Sequence, residues 1–294
     1  RDAVSDVANM YLFETGHLTS RYLIDTADNP KGNILGHIPY TAEFISALAA
    51  ETARKVDALR RKPFKVLVLD CDNTLWDGVV GEDGVDGVGL SENRLFLQEF
   101  AVAQSESGMV VCLNSKNNEP DVWEVFDTRY DMVLKREHIV SSRINWLPKS
   151  QNLKSLAEEL QLGLDSFIFV DDDPAVCNEV GRNTPEVFTV LMPQETDYSR
   201  LFDNLWAFDR LKITNEDRER TRSYQNQALR CDLQAKAGDM TEFLKSLELV
   251  CEISELQSTD IPRVSQVTLR TNQFNSTTIR HTEAEIRRLT SEDG

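Results

Sequence analysis

Two aspartates, two residues apart, are the strongest chemical feature of the sequence. Asp70 and Asp72 belong to a D-x-D-x-T pattern that ends at Thr74 and directly follows the apolar run Phe64–Leu69. Two carboxylates on one tight loop can divide the work of phosphoryl transfer, because one can attack phosphorus or hold a divalent cation while the other moves a proton. The pattern therefore predicts a catalytic pair, Asp70 and Asp72, with Thr74 among the substrate-binding residues.

Three further features follow later strand-like runs in the chain. Ser115 offers a hydroxyl to a phosphate oxygen, and Lys149 offers a positive charge to a transferring phosphoryl group. The acidic run 171–173 offers the carboxylate oxygens that Mg²⁺ prefers. Each feature also has a structural interpretation, as a helix N-cap, a solvated lysine and a capped turn. Because all three occur in the order that phosphoryl transfer requires, we predict a phosphate-binding and metal-binding site.

The elements that must position these residues are predicted to form a parallel sheet. Short apolar runs without alternation indicate strands that are buried on both faces. The runs are 64–69, 109–113, 132–134, 167–170 and 187–191. A segment that can hold a helix separates each run from the next, so the predicted class is α/β, with a doubly wound, Rossmann-like sheet. In such a sheet the functional residues lie at the carboxyl ends of the strands.

Three parts are predicted along the chain. Residues 63–205 form the α/β core, and residues 1–62 form an N-terminal segment with a helix that begins at Thr41 and ends before Pro63. Residues 206–294 are predicted as a smaller α/β unit with a strand at 247–253, and this unit is expected to be truncated. Only a Gly-rich stretch and one helix separate Asp72 from the second strand. The core is therefore expected to carry a minimal cap rather than a cap domain.

Composition narrows the classes of partner. The formal net charge of −17 disfavours nucleic acid and anionic membranes, which attract basic proteins. No apolar run is long enough to span a bilayer, and no signal-peptide pattern occurs at the start. The five scattered cysteines favour neither a disulfide framework nor a zinc site. A cytoplasmic protein is expected, and the first residue, Arg1, suggests a piece of a larger multidomain protein.

Taken together, the four motifs resemble those of the haloacid dehalogenase-like superfamily over residues 64–190. The sequence around the motifs is more specific and resembles that of the FkbH-like family of polyketide synthase loading domains. The stretches concerned are 36–40 (GHIPY), 69–84 (LDCDNTLWDGVVGEDG), 115–118 (SKNN), 145–149 (NWLPK) and 271–278 (TNQFNSTT). This resemblance covers nearly the whole chain.

The resemblance implies a role for each motif residue. Asp70 is the expected phosphoryl-accepting nucleophile, and Asp72 is the expected acid and base. Ser115 and Lys149 are the expected phosphate ligands. The expected ligands of Mg²⁺ are the carboxylates of Asp70, Asp171 and Asp172, together with Asp72, which contributes its backbone carbonyl. His37 in the GHIPY loop is a further candidate for substrate binding, although a lone histidine also has a structural interpretation.

One position departs from the family pattern. The family uses a cysteine directly before the motif serine as an acyl way-station, and this chain has Asn114 there, which we include among the substrate-binding candidates. Because an amide cannot form a thioester, either Cys112, Cys71 or Cys177 serves instead, or the acyl group moves without a relay, or the chain carries an inactivating change. Cys112 is the candidate acyl-accepting thiol because it shares a strand face with Asn114. A buried structural thiol is the other interpretation of Cys112.

The resemblance implies a function in acyl loading. The family takes 1,3-bisphosphoglycerate, removes phosphate and passes a glyceryl group to the phosphopantetheine thiol of an acyl carrier protein. The expected activity is therefore a Mg²⁺-dependent glyceryl transferase and phosphatase of polyketide biosynthesis. Two alternatives remain open: a simple phosphatase of a small metabolite, which the departure at Asn114 favours, and a non-catalytic interaction module.

Overall fold

The computed structural model describes residues 15–194, 196–210, 224, 256–270 and 279–292. The chain divides into two compact units, Arg1–Asp232 and Leu233–Gly294. The predicted strand at 247–253 and the stretch at 271–278 lie outside the described residues. The predicted division at residues 62 and 205 stays a prediction. None of the described helices combines the length and the apolar character that a bilayer-spanning helix needs.

The first unit contains a five-stranded parallel sheet. Its strand order is β3-β2-β1-β4-β5, with the first strand in the centre. The strands are β1 (Val66–Leu69), β2 (Val110–Ser115), β3 (Ile139–Ile144), β4 (Phe167–Asp171) and β5 (Phe188–Leu191). The chain moves outward from β1 to β3 and then returns to β4 on the other side. This reversal beside β1 is the point at which open α/β sheets form their functional sites.

Helices connect the strands and precede the sheet. Those before β1 are α1 (Leu18–Arg21), α2 (Pro30–Gly36) and α3 (Ala42–Arg60). Those after it are α4 (Val80–Asp83), α5 (Glu92–Glu106), α6 (Glu119–Thr128), α7 (Lys149–Leu160), α8 (Pro174–Asn183) and α9 (Tyr198–Asn204). The Thr41 hydroxyl accepts a hydrogen bond from the Phe44 N–H at 3.3 Å, which confirms the predicted N-cap of α3. The fold class is therefore the predicted α/β class, with a Rossmann-like core.

The sheet is buried on both faces, as the unbroken apolar runs predict. Leu67 and Leu69 of β1 belong to a cluster with residues of α5, α6 and α9. Val66 and Val68 belong to a second cluster, with residues of α7 and α8 on the opposite face. Each of these four β1 side chains is fully buried, which stabilises the fold by roughly 1.5–3 kcal/mol per side chain. The central strand is thereby a rigid support for Asp70, which follows it.

One predicted strand is wrong. Residues 132–134 form no strand; the third strand is β3, Ile139–Ile144. Met132 and Leu134 are buried, but the N–H groups of Val133 and Leu134 donate to the side-chain oxygen of Gln98 instead of to a neighbouring strand. The true β3 was missed because it lies at an edge of the sheet and carries polar residues, so its sequence lacks the apolar run of a buried strand.

Ion pairs join the helix before the sheet to the end of the core. Arg54 of α3 contacts the Asp209 carboxylate at 2.6 Å and donates to the Asn204 carbonyl at 3.0 Å. Arg61 donates to the carbonyls of Trp206 and Asp209. The N-terminal segment therefore packs on the core within the first unit. This arrangement leaves the carboxyl ends of the strands to the loops that carry the motifs.

The described residues of the second unit include two helices. They are α10 (Ile261–Arg270), close to the predicted helix 261–269, and α11 (Glu283–Glu292). Ile261 and Ile286 are buried, and the hydroxyls of Ser265 and Thr268 donate to the His281 carbonyl.

Candidate active site

The four predicted motifs lie at the same edge of the sheet. Asp70 directly follows β1, Ser115 is the last residue of β2, and Asp171 is the last residue of β4. Lys149 is the first residue of α7, five residues after β3 ends. Parallel strands end at one edge, so these residues, distant in sequence, meet there.

Three carboxylates form a cluster that fits a divalent cation. Asp70, Asp171 and Asp172 each offer one oxygen, and these oxygens lie within 4.8 Å of one another. Asp70 is 7% exposed and Asp171 is 1% exposed. Bringing three carboxylates together in a buried place is unfavourable without positive charge, and hard cations such as Mg²⁺ bind such oxygens. The predicted carboxylate ligands therefore come together, but the Asp72 carboxylate does not belong to this cluster.

Lys149 supplies the positive charge within the cluster. Its ammonium group lies 2.5 Å from the Asp70 carboxylate and 2.6 Å from that of Asp171, and the residue is only 2% exposed. Burial by itself lowers the pKa of Lys149, but the attraction of Asp70 and Asp171 outweighs it and the pKa is raised. Lys149 is therefore a charged residue of the site, and its interpretation as a solvated surface lysine is wrong.

The cluster holds protons more tightly than ordinary carboxylates do. Burial raises the pKa of Asp171 to about 6, although the attraction of Lys149 opposes this rise. Burial, together with repulsion from Asp70, raises the pKa of Asp172 to about 6. The ordinary pKa of aspartate is about 3.9. In the metal-free protein these two groups therefore lower the free energy of unfolding as the pH rises through the window between about 4 and about 6.

Magnesium binding should consequently depend on pH. A divalent cation binds the ionised carboxylates and must displace their protons, so we expect Mg²⁺ to raise the melting temperature more at about pH 7.5 than at about pH 5. Differential scanning fluorimetry with MgCl₂, and with NaCl at equal ionic strength as the control, measures this difference. An equal rise at both pH values would contradict binding of the cation to Asp171 and Asp172.

The Asp72 carboxylate is fixed by three donors. One oxygen accepts the Trp76 indole N–H at 2.8 Å and the Val80 N–H at 3.2 Å, and the other accepts the Asn117 amide at 2.8 Å. Trp76 is the last residue of the catalytic loop, which we define as residues 70–76. Val80 belongs to the short cap that follows it, residues 77–91. These bonds hold the Asp72 side chain apart from the cation cluster, in a fixed orientation. The predicted ligand of Mg²⁺ at this residue is the backbone carbonyl of Asp72, not its carboxylate, and that role stays a prediction.

Ser115 and Thr74 are polar residues of the same site. Ser115 is buried, and its hydroxyl accepts a long hydrogen bond from the Asn117 amide at 3.4 Å. The N-cap of α6 is Asn118, so Ser115 does not have the alternative role of a helix cap. Thr74 is fully buried, and its hydroxyl donates to the Asp172 carboxylate at 3.4 Å. Thr74 therefore supports the cation cluster through Asp172.

Asn114 does not offer its amide to a substrate. Its side-chain amide N–H donates to the Lys149 carbonyl at 3.1 Å, and its side-chain oxygen accepts a hydrogen bond from the Asn152 side-chain amide at 3.0 Å. The residue is fully buried, and both ends of its amide are occupied by protein groups. The assignment of Asn114 to substrate binding is therefore corrected. Asn114 instead links the end of β2 to the start of α7, which carries Lys149.

Cys112 is equally unsuited to be an acyl-accepting thiol. It is fully buried in the cluster between the sheet and α7, and burial raises its pKa to about 12. Cys71 is also fully buried, with a pKa well above its ordinary value. Burial, with repulsion from Asp171, raises the pKa of Cys177 to about 12. Because the thiolate is the nucleophile, none of the three described cysteines is prepared for acyl transfer.

His37 lies in the GHIPY stretch, before the α/β core. It is exposed at the end of α2, where it has a left-handed backbone conformation with φ of 53°. Within the described part of the chain, the His37 backbone N–H donates to the Asn33 carbonyl, and no hydrogen bond or ion pair joins His37 to the carboxylates of the cluster. Its predicted role in substrate binding stays a prediction.

Several residues of the site were missed at the sequence level. Asn117 and Trp76 donate to the Asp72 carboxylate, and Arg94 of α5 donates to the Thr74 carbonyl of the catalytic loop. Asn117 lies two residues after Ser115, so its place on the same loop was a usable signal. Trp76 and Arg94 gave no such signal, because an indole in a loop and an arginine on a helix are usually packing and surface residues.

Comparisons with known proteins agree with the fold. No protein-family model matches the sequence, and no curated protein is similar enough to count as a match. The chain is similar to the N-terminal part of the protein BF1531 from Bacteroides fragilis, which contains a phosphatase domain and was solved with Mg. Their identity is 28% and the TM-score is 0.59, over 66% of this chain and 54% of that one. This chain thus spans about half the length of that structure.

Two other solved structures match less well. The haloacid dehalogenase family enzyme bt-2542 from Bacteroides thetaiotaomicron has 15% identity and a TM-score of 0.37, over 47% of this chain and 99% of that one. The phosphatase YrbI from Haemophilus influenzae has 17% identity and a TM-score of 0.30, over 63% and 96%. Together with the sheet topology, the similarity to BF1531 supports the Rossmann-like α/β core. It does not extend to the FkbH-like family.

Proposed function

We propose that this chain is a Mg²⁺-dependent phosphatase that transfers a phosphoryl group through Asp70. The observation that carries the proposal is the buried cluster of Asp70, Asp171 and Asp172, with the Lys149 ammonium between two of the carboxylates. Asp70 is the carboxylate that directly follows the central strand, next to the reversal of strand order. The Mg²⁺ in the similar Bacteroides fragilis structure supports the choice of cation. When bound, Mg²⁺ would neutralise charge on the phosphoryl oxygens.

The residues of this chain divide the reaction into two steps. In the first, a carboxylate oxygen of Asp70 attacks phosphorus, the bond to the leaving oxygen breaks, and Asp72 gives that oxygen a proton. In the second, water attacks the phosphoryl group on Asp70, the bond between the Asp70 oxygen and phosphorus breaks to release phosphate, and Asp72 takes the proton of that water. Asn117, Trp76 and the Val80 N–H hold Asp72 in position for both transfers. Ser115 and Lys149 would receive the remaining phosphoryl oxygens.

A more specific substrate is 1,3-bisphosphoglycerate, with an acyl carrier protein as the acceptor. The resemblance to the FkbH-like family supports this choice, and so does the short cap between Asp72 and α5, because a site without a domain-sized cap can admit a long phosphopantetheine arm. The acceptor thiol would attack the acyl phosphate, which loses phosphate and gives a thioester. The phosphate ester at the other end would then lose its phosphoryl group to Asp70 and water. Because Cys71 and Cys112 are buried and the pKa of the partly buried Cys177 is raised to about 12, the acyl group would move directly to the carrier thiol.

Intact mass spectrometry tests this proposal. The chain and a holo acyl carrier protein are incubated with 1,3-bisphosphoglycerate and MgCl₂, and released phosphate is measured in parallel. We expect the carrier protein to gain the mass of a glyceryl group and this chain to gain no stable acyl mass. A Cys112→Ser variant should load the carrier as well as the wild type does, because Cys112 is buried in the core.

The same experiment separates the two candidate functions. Phosphate release without any mass gain on the carrier protein would leave a phosphatase of a small metabolite, which the occupied amide of Asn114 favours. Absence of Mg²⁺-dependent phosphate release from both 1,3-bisphosphoglycerate and p-nitrophenyl phosphate would contradict the proposed phosphatase. A stable acyl mass on Cys112 would contradict direct transfer.

A further inference from the structure

Helix α5 directs two buried polar side chains at the catalytic loop. Arg94 and Gln98 lie one helical turn apart, and they are 5% and 0% exposed. Arg94 donates to the Thr74 carbonyl at 3.3 Å, and Gln98 donates to the Leu75 carbonyl at 2.8 Å. These are two consecutive carbonyls at the end of the D-x-D-x-T segment. Residues at i and i+4 share one face of a helix, so one face of α5 holds this part of the loop.

Arg94 also joins the loop to two other parts of the fold. Its Nε donates to the Asp77 carboxylate of the cap at 2.8 Å, and its Nη1 donates to the Tyr198 hydroxyl at 2.6 Å. The guanidinium carbon lies 5.5 Å from the centre of the Tyr198 ring. One side chain therefore fixes the positions of the catalytic loop, the cap and the start of α9 relative to one another.

The loop that Arg94 binds donates hydrogen bonds to two carboxylates of the site, those of Asp172 and Asp72. Thr74, whose carbonyl accepts the bond, donates its hydroxyl to Asp172 of the cation cluster at 3.4 Å. Trp76, two residues later, donates its indole N–H to Asp72 at 2.8 Å. A displacement of residues 74–76 would thus move the supports of the acid/base residue and of a cation ligand together.

A merely stabilising role does not account for this arrangement well. A guanidinium that is removed from water carries a desolvation cost that often equals the gain from its ion pair, so apolar packing would serve stability at least as well. The planar, forked group is instead suited to holding several acceptors in a fixed relative geometry. We propose that Arg94 is a positioning residue for the phosphoryl-transfer site, which acts through Thr74 and Trp76; this inference rests on the proposed phosphatase function.

Kinetics of two Arg94 variants with p-nitrophenyl phosphate test the proposal. We expect Arg94→Met to lower kcat by on the order of 100-fold with little change in KM, because misplaced groups slow the chemical step rather than binding. Arg94→Lys, which keeps the buried charge but not the fork, should recover part of the lost rate. Both variants should need more MgCl₂ for half-maximal activity, because Asp172 loses support. All assays are run below the measured melting temperature of each variant.

Arg129→Lys is the matched control. Arg129 also pairs with a carboxylate, Asp131, and donates to two carbonyls of the cap, those of Val85 and Val88. None of these contacts involves residues 70–76. This variant should keep kcat and the MgCl₂ requirement of the wild type.

The possible outcomes distinguish the two claims. If wild type and Arg94→Lys have equal kcat and equal MgCl₂ requirement, the positioning role is overturned while the phosphatase function stands. A loss of kcat as large in Arg129→Lys as in Arg94→Lys would also overturn it, because loosening of the cap would then explain both. If the wild type shows no Mg²⁺-dependent release, the proposed function fails and this inference fails with it. If Arg94→Met does not fold, Arg94→Lys decides the test.

Discussion

Replacing Asp70 with asparagine is expected to lower phosphate release by about a thousandfold or more, because an amide oxygen is a poor nucleophile for phosphorus. The substitution keeps the size of the side chain and removes one of three clustered negative charges, so the protein should still fold. It also removes one cation ligand. We therefore expect the rise in melting temperature with MgCl₂ to shrink in Asp70→Asn. Steady-state phosphate release and differential scanning fluorimetry measure the two effects.

Asp165→Asn is the control for this substitution. Asp165 is an exposed carboxylate before β4 that pairs with the exposed Lys62, so its change should leave both phosphate release and the response to MgCl₂ unaltered. Turnover of Asp70→Asn near the wild-type rate would remove Asp70 from the mechanism. An unchanged response to MgCl₂ in Asp70→Asn would remove it from the cation site.

The second large effect is expected at Lys149. Lys149→Met keeps most of the side-chain volume but leaves the buried carboxylates of Asp70 and Asp171 without their counter-charge. Removing one partner of a buried ion pair typically costs about 3–5 kcal/mol, so we expect a loss of this order in the free energy of unfolding at neutral pH without metal. MgCl₂ should restore part of it, because the cation supplies positive charge to the same carboxylates. Urea denaturation with and without MgCl₂ measures both quantities.

Lys62→Met is the matched control for Lys149→Met. Its side chain is largely exposed and, among the residues that the structure describes, pairs only with Asp165 at 3.3 Å. Exposed pairs contribute at most about 1 kcal/mol. Equal losses of stability in the two variants would contradict the assignment of Lys149 as the charge that balances the cluster. A loss in Lys149→Met that MgCl₂ does not reduce would contradict cation binding at these carboxylates.

Much of the core could be predicted because its signals are local and strong. The strands β1, β2, β4 and β5 are apolar runs, and each was found to within a few residues of its observed bounds. The motif residues Asp70, Ser115, Lys149 and Asp171 follow such strands or the loops after them. Because parallel strands all end at the same edge of the sheet, the predicted sheet alone was enough to bring these residues together. Strand position and residue type were therefore enough to predict where the motif residues meet.

The remaining features depend on contacts between distant parts of the chain. Strand β3 was missed because an edge strand with polar residues has no distinctive run. The role of Asp72 in the site depends on Asn117 and on the cap, neither of which its own neighbours in sequence reveal. The use of Asn114 as a link between β2 and α7 depends on Asn152, which lies on a different element. Sequence patterns report burial and local structure, whereas these partners are set by the tertiary fold.

Trapping the phosphoryl group on the protein tests the central claim most directly. Asp72→Asn should slow the attack of water on the phosphoryl group, so this variant is incubated with MgCl₂ and p-nitrophenyl phosphate, quenched in acid and digested for peptide mass spectrometry. We predict a single phosphoryl group on the peptide that contains Asp70, and none when Asp70→Asn is added to the variant. A phosphoryl group on a different peptide, or an unmodified Asp70 peptide in a variant that still releases p-nitrophenol, would contradict the account.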